Sequence, residues 1–329
     1  MDTGLGGDGV GVNDESPPKT YGELPPDAAL SLLGSDVRAS ILWTLSEARG
    51  GRGPPRVLAF SDLRERVRPD VESSKFNYHL QKLVGTFVER VEPGGGDDAQ
   101  VVSEMADAST EGFRLRPEGT TLVRSMRAWT VDGDAALAPV DVGLDCYHCG
   151  GSVSARYDHA IFAIQCPDCE YLYDYNLTPP GVLDGDERDL LDRVAEYNRH
   201  QRLAFARGSC PFCGGGVDVE FQHPPGTGYP RADLRSVLVR RGCDHCGHKD
   251  NLRVGEAMLA DAGLVGFCHR RGLDVTTTPI WDLEFASTDR TVTVRSTDPW
   301  EVALSVTVDS DTLRLVVDGS LDVLERTET

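Results

Sequence analysis

Eight of the nine cysteines fall into four Cys-x-x-Cys pairs, Cys146/Cys149, Cys166/Cys169, Cys210/Cys213 and Cys243/Cys246, and none precedes residue 145. Two thiolates at this spacing grip one tetrahedral ion from a tight turn, and a second pair completes the shell. Sixteen residues separate the first two pairs and 29 the last two, each enough for a β-hairpin that brings the chain back to the ion. The spacing predicts two structural zinc sites, closed in chain order. In three pairs a glycine (Gly150, Gly214, Gly247) follows the second cysteine, which lets the turn fold back so that backbone N–H groups point at sulfur. Four cysteines leave no open position for catalytic zinc. Redox chemistry is the competing reading, but it calls for one pair at a helix N-terminus in a βαβ unit, not four pairs in hairpins. His148, His245 and His248 lie in or beside the pairs as alternative ligands. Cys268, at helical spacing with Met258, Ala262 and Val265, reads as a small buried hydrophobe rather than a reactive thiol.

A second set of residues carries no metal chemistry. Phe76, Leu80, Leu83 and Val84 recur on one face of a helix expected over 73–84. The other face offers Ser74, Lys75, Asn77, Tyr78, Gln81 and Lys82, with His79 beside the apolar stripe. In the major groove of DNA, Asn and Gln pair with adenine, and Lys with guanine or phosphate. A merely solvated helix face is the plain alternative. Two of the chain's four lysines (residues 19, 75, 82 and 249) stand here.

The overall charge of −20 argues against a nucleic-acid partner at face value. An acidic, nearly lysine-free surface resembles the proteins of salt-accumulating haloarchaea, where hydrated carboxylates and screened repulsion make acidity a background. Against it, residues 27–90 carry ten basic and eight acidic side chains, and residues 113–129 four and one. Residues 130–329 carry 18 and 33. A surface that meets DNA therefore belongs to the N-terminal part. No apolar run approaches the roughly 18 residues of a membrane span, and the N-terminus lacks a basic-then-apolar signal, so the expectation is a cytoplasmic protein without a membrane partner. The absence of a phosphate loop, nucleophile elbow or His-Glu-x-x-His motif speaks against an enzyme.

The elements that must position these residues follow from periodicity. Residues 1–26 read as a disordered acidic tail. Leu30, Leu33, Val37, Ile41 and Leu45 recur at helical spacing, broken at Gly34-Ser35, with Ser35 as N-cap of the second part. After a loop at 50–55, Val57 to Phe60 reads as a short strand and Ser61 as the cap of a helix through Val67. Ser73 is expected to cap the polar-faced helix and Gly85 to end it. Strands over 86–91 and 112–115 flank an acidic loop, and Pro117 to Trp129 is a helix. This order is that of a winged helix-turn-helix over 27–130. A linker (131–145) leads to a first zinc ribbon (146–180), a connecting helix segment (181–209), a second ribbon (210–252) and a C-terminal α/β segment (253–329). That last segment is expected to hold a helix over 255–271 and strands at 281–285, 291–296, 301–308, 312–317 and 321–325. The expected fold is α+β and multidomain.

The segments SSKFNYHLQKLVGTFVERVE and GFRLRPEGTTLVRSM resemble the recognition helix, wing and dimerisation helix of ArsR-type winged-helix regulators, in the form common in haloarchaea. The resemblance covers residues 27–130. It implies a homodimer on a palindromic operator in double-stranded DNA, with Lys75, Asn77, Tyr78 and Lys82 on the contacting helix and Arg90, Arg114 and Arg116 on the wing. The sequence departs from the family twice. It lacks the cysteines with which metal-sensing members respond, and its hairpin tip, Glu92 to Glu111, holds six acidic and no basic side chains. The C-terminal part resembles the zinc-ribbon extension of uncharacterised haloarchaeal members. The expected function is transcriptional regulation by specific DNA binding; the alternative is an adaptor that docks a protein of the transcription machinery.

Overall fold

A computed structural model describes residues 25–48, 57–92, 111–130, 136–184 and 189–329. The tail at 1–24, the loop at 50–55, the hairpin tip at 93–110 and the linker residues 131–135 lie outside the described residues. The chain divides into two compact units, Met1–Ala128 and Trp129–Thr329. Among the described residues no helix is long and apolar enough to cross a membrane.

In the N-terminal unit the four-residue spacing of Val37, Ile41 and Leu45 buries one face of α2 (Asp36–Ala48), which follows α1 (Pro26–Leu33). Ser35 stands at the N-cap position, its carbonyl accepting from Ala39 N at 2.9 Å, but its side chain is turned elsewhere. Its hydroxyl lies 3.4 Å from Nδ1 of His79, and Asp36 accepts from the Val37 N–H at 2.9 Å instead. Phe60 opens α3 (Phe60–Val67) rather than ending a strand, because its ring meets Phe76 edge-on at 5.5 Å. The short strand shrinks to one bridge, Leu58 with Phe113. Helix α4 (Ser73–Gln81) has Glu72, not Ser73, at its N-cap position and ends before Leu83, yet Phe76, Leu80 and Leu83 are buried as the spacing requires. Gly85 has φ 88°, a left-handed conformation suited to glycine. Strands β1 (Val88–Val91) and β2 (Gly112–Leu115) pair antiparallel, and α5 (Pro117–Trp129) closes the unit. One core from all these helices and the hairpin includes Ile41, Leu63, Phe76, Phe87 and Val123.

The C-terminal unit holds three antiparallel sheets. Residues read as the end of a linker form the outer strand β3 (Leu137–Asp145) of the first, followed by β4 (Ser152–Asp158), β5 (Ile161–Gln165) and β6 (Leu172–Leu177) in spatial order. The strand hides in the sequence because its outer position tolerates small and acidic residues. Helix α6 (Leu190–Ala206) leads to the second sheet, β7 (Asp218–Gln222), β8 (Leu238–Gly242) and β9 (Lys249–Leu252). The helix expected at 255–271 is interrupted. It comprises α7 (Val254–Ala257), a 3-10 turn and α8 (Ala262–His269), because Asp261 leaves the helical conformation and its carboxylate caps Leu264 N at 2.8 Å. The expected strand at 281–285 is a 3-10 turn followed by the short helix α9 (Glu284–Ser287). Trp281 and Phe285 are both buried, and a spacing of four serves a helical turn as well as it serves alternation. The third sheet runs β10 (Val292–Thr297), β11 (Trp300–Val308), β12 (Asp311–Asp318) and β13 (Val323–Glu328) in order. All three sheets contribute to one hydrophobic core with Val194, Phe267 and Trp281. Cys268 is fully buried in it.

Candidate metal centres and a candidate nucleic-acid interface

Each Cys-x-x-Cys closes the same tight turn. The N–H of the first cysteine reaches a carbonyl five residues on, and its own carbonyl accepts from the residue after the second cysteine, as in Cys146 N to Gly151 O and Gly150 N to Cys146 O, both 2.8 Å. The residue after the second cysteine has positive φ in all four turns: Gly150 76°, Gly214 73°, Gly247 75° and Glu170 60°. Glu170 holds without glycine's freedom a conformation that costs an L-residue about 1–2 kcal/mol.

The turns meet in chain order. Cys146, Cys149, Cys166 and Cys169 form one group and Cys210, Cys213, Cys243 and Cys246 the other, with the sulfurs of each within 4.8 Å of one another. Sγ–Sγ distances of 3.6 Å (Cys146–Cys169), 3.5 Å (Cys149–Cys166), 3.6 Å (Cys210–Cys246) and 3.5 Å (Cys213–Cys243) exclude disulfides. They approach the edge of about 3.8 Å that metal–sulfur bonds of about 2.3 Å give a tetrahedron. Both groups therefore suit one metal ion each. The neighbouring histidines stand outside both. The His148 ring lies 4.2 Å from that of Tyr171, and His248 sits between Phe205 and Phe212 at 4.9 and 4.4 Å.

Burial raises the Cys146 thiol, but the Tyr173 hydroxyl and the N–H groups of His148 and Cys149 outweigh it and bring it down to about 7. Tyr173 donates to Cys146 Sγ at 3.2 Å and accepts from Tyr147 N at 2.9 Å. Burial, with hydrogen bonds shared among the thiols, pushes Cys169 up to about 12. In the second group the N–H of Cys246 leads in bringing Cys243 down to about 7. Four crowded thiols cannot all ionise unaided; a metal ion held between them would supply the missing charge. Nothing in the sequence marked Tyr173 as a partner of this centre.

The residues read as a DNA-contacting face do share one surface. Ser74, Lys75, Asn77, Tyr78, Gln81 and Lys82 are all exposed. Gln81 Nε2 reaches Asn77 Oδ1 at 3.4 Å, and Lys82 Nζ lies 5.6 Å from the Tyr78 ring centre. Among the described residues neither Lys75 nor Lys82 has an ion-pair partner. His79 is half-buried, and burial, followed by Arg38 and Lys75, holds its imidazole below the ordinary value. The turn between α3 and α4 is pinned by Arg64, whose Nε and Nη2 donate to Val71 O at 3.2 and 3.1 Å.

The hairpin arginines are placed differently. Arg90 pairs with Glu111 at 2.8 Å, Arg116 with Glu118 at 3.3 Å, and Arg114 is buried against Glu89. Glu89 lies directly across from Arg114 in the hairpin, a pairing that the strand register foreshadows. Arg114 has little surface left for a phosphate.

Residues 143–323 match the family described as Domain of unknown function (DUF7351). The chain belongs to the DUF7351 family. Its match runs through both cysteine centres and most of the third sheet, the stretch whose sheets share one core. Residues 26–126 match a second family, described as Domain of unknown function (DUF7347). No curated protein and no solved structure matches the chain.

Proposed function

We propose that this chain is a sequence-specific DNA-binding transcriptional regulator. Its N-terminal unit serves as a winged helix-turn-helix of ArsR type, with α4 entering the major groove. The observation that carries the reading is the division of α4: Phe76 and Leu80 are buried, while Ser74, Lys75, Asn77, Tyr78 and Gln81, with Lys82 just past its end, stand in solvent. These groups combine hydrogen bonding to base edges with two cations that have no ion-pair partner among the described residues. The paired hairpin arginines leave most of the contact to α4, with the hairpin as a support.

The regulator acts as a homodimer. Leu30 on α1 and Met126 on α5 are exposed apolar side chains, and the Arg127 guanidinium covers the half-exposed Trp43 ring at 4.2 Å; groups of this kind are what a second copy would cover. Each cysteine centre holds zinc, the ion that four thiolates in hairpin turns favour, and the closed shells make both zincs structural. The C-terminal unit then serves assembly or signal input.

A gel shift of the full chain with the DNA upstream of its own gene, in concentrated KCl, tests the reading. A shift that specific competitor abolishes and random DNA does not is the expected result. Binding only to a protein of the transcription machinery would support the adaptor instead.

A further inference from the structure

A cleft of about 620 Å³ opens in the C-terminal unit, within the range of about 300–1,000 Å³ typical of binding sites. One wall is the whole of β6, and the opposite wall includes Thr227–Pro230 and Lys249–Asn251 of β9. Both strands are the outer members of their sheets. An outer strand leaves alternate N–H and C=O groups without a ladder partner.

The directions of these groups follow from two hydrogen bonds. Thr178 N donates to Ala160 O at 2.8 Å, so Thr178 faces β5, and alternation turns Tyr175 and Leu177 outward. Cys243 N donates to His248 O at 2.9 Å, which by the same rule turns Lys249 and Asn251 outward on β9. On the β9 edge one of the outward donors is taken, since Asn251 N–H donates to Asp250 Oδ1 at 2.8 Å. On β6 the Arg253 guanidinium occupies the place of a next strand at one end only, donating to Tyr173 O at 3.1 Å and to Leu172 O. Beyond it, Tyr175 and Leu177 present main-chain donors and acceptors that nothing among the described residues is shown to meet. Tyr175 and Leu177 are 52% and 47% exposed, and Phe212 on the cleft wall is 44% exposed. The cleft floor is neutral within itself, because Arg202 and Arg253 are held by Asp174 and Glu256.

We propose that this cleft binds an extended peptide segment of a partner protein, which adds as a strand to the β6 edge. Outward groups two residues apart repeat at about 6.8 Å, the repeat of another extended main chain. The neutral floor and the apolar Tyr175, Leu177 and Phe212 select a segment of low net charge with apolar side chains at alternate positions. The inference is independent of DNA binding by the N-terminal unit.

The test pans a random 12-residue peptide display library against the full chain in concentrated KCl. The best peptide is then measured by fluorescence anisotropy against the wild type, Leu177→Pro and Phe212→Ala. Proline at 177, on an outer strand with its N–H side outward, removes one donor and the leucine side chain while leaving the ladder to β5 intact. Metal content and melting temperature identify any variant that fails to fold, and a series of backbone N-methylated peptides reads the same geometry on the unaltered protein. The expected results are at least tenfold weaker binding to each folded variant, sensitivity to N-methylation at alternate residues, and slowed amide exchange at Tyr175 and Leu177 on binding. No enrichment, sensitivity without alternation, or protection of these amides that grows with protein concentration alone would overturn the proposal, the last by making the occupant a second copy.

Discussion

In the C-terminal unit Arg202, Arg235 and Arg253 are held in the interior by Asp174, Asp289, Glu256 and main-chain carbonyls, whereas on the N-terminal unit Lys75 and Lys82 stand in solvent with no carboxylate partner among the described residues. The first arrangement consumes its charge internally. Removing one member strands another charge in a medium of low dielectric, so such arginines define a fold and serve no outside anion. The second arrangement leaves its charge to an external ligand. A net charge of −20 therefore says little about where DNA would bind, because partnered and unpartnered cations count equally in it.

The largest effect that sharpens this contrast belongs to the metal centres, on which the C-terminal unit depends. Cys166→Ser should empty the first centre and, because both centres belong to the unit with one core and structural zinc contributes on the order of 10–16 kcal/mol, unfold the C-terminal unit with loss of the second metal as well. Retention of the wild-type melting curve would remove the centre from the folding account. Next comes Arg253→Met, which leaves Glu256 without one of its two partners and Leu172 and Tyr173 carbonyls without a donor; a loss of about 3–5 kcal/mol in denaturant unfolding is expected. A loss below about 1 kcal/mol would show that the buried pairs are dispensable.

Smaller effects probe single turns. Glu170→Gly relieves a left-handed glutamate and should stabilise the C-terminal unit by about 1 kcal/mol, read as a rise in melting temperature; no change would mean that its side chain contributes what the backbone costs. Smallest is the pH dependence from His79. Its folded pKa lies below the unfolded value of 6.5, so the neutral form is favoured in the fold. Its contribution is present above that value and is lost as pH falls through it. His79→Gln should flatten the stability of the N-terminal unit between pH 7 and pH 5, a comparison that thermal melts at the two values supply.

The cysteine centres were legible in the sequence down to their pairing, because ligand spacing survives any uncertainty about the elements between. Helix α5 and the buried positions of α2 and α4 were legible too, since apolar residues at three- and four-residue intervals admit one reading. Strand β3 was not, because an outer strand needs few apolar residues. The interruption at Asp261 and the turn around Trp281 turn on a local capping bond and on a spacing that strand and helix share. The pairing of Arg114 with Glu89 required the hairpin register, which sets the two opposite one another. The resemblance placed Arg90, Arg114 and Arg116 on a wing but carried no information about their partners.

The central claim, that the exposed cations on and just past α4 read DNA, is tested most directly by two charge-matched variants of the full chain. Lys75→Gln with Lys82→Gln removes two cations from the N-terminal unit; Lys249→Gln with Arg314→Gln removes two exposed ones from the C-terminal unit. Anisotropy titrations of the labelled upstream DNA in concentrated KCl compare both with the wild type. The account predicts at least tenfold weaker binding for the first variant, the size of one lost contact worth about 1–3 kcal/mol, and unchanged binding for the second. Equal losses in the two, or none in the first, would contradict it.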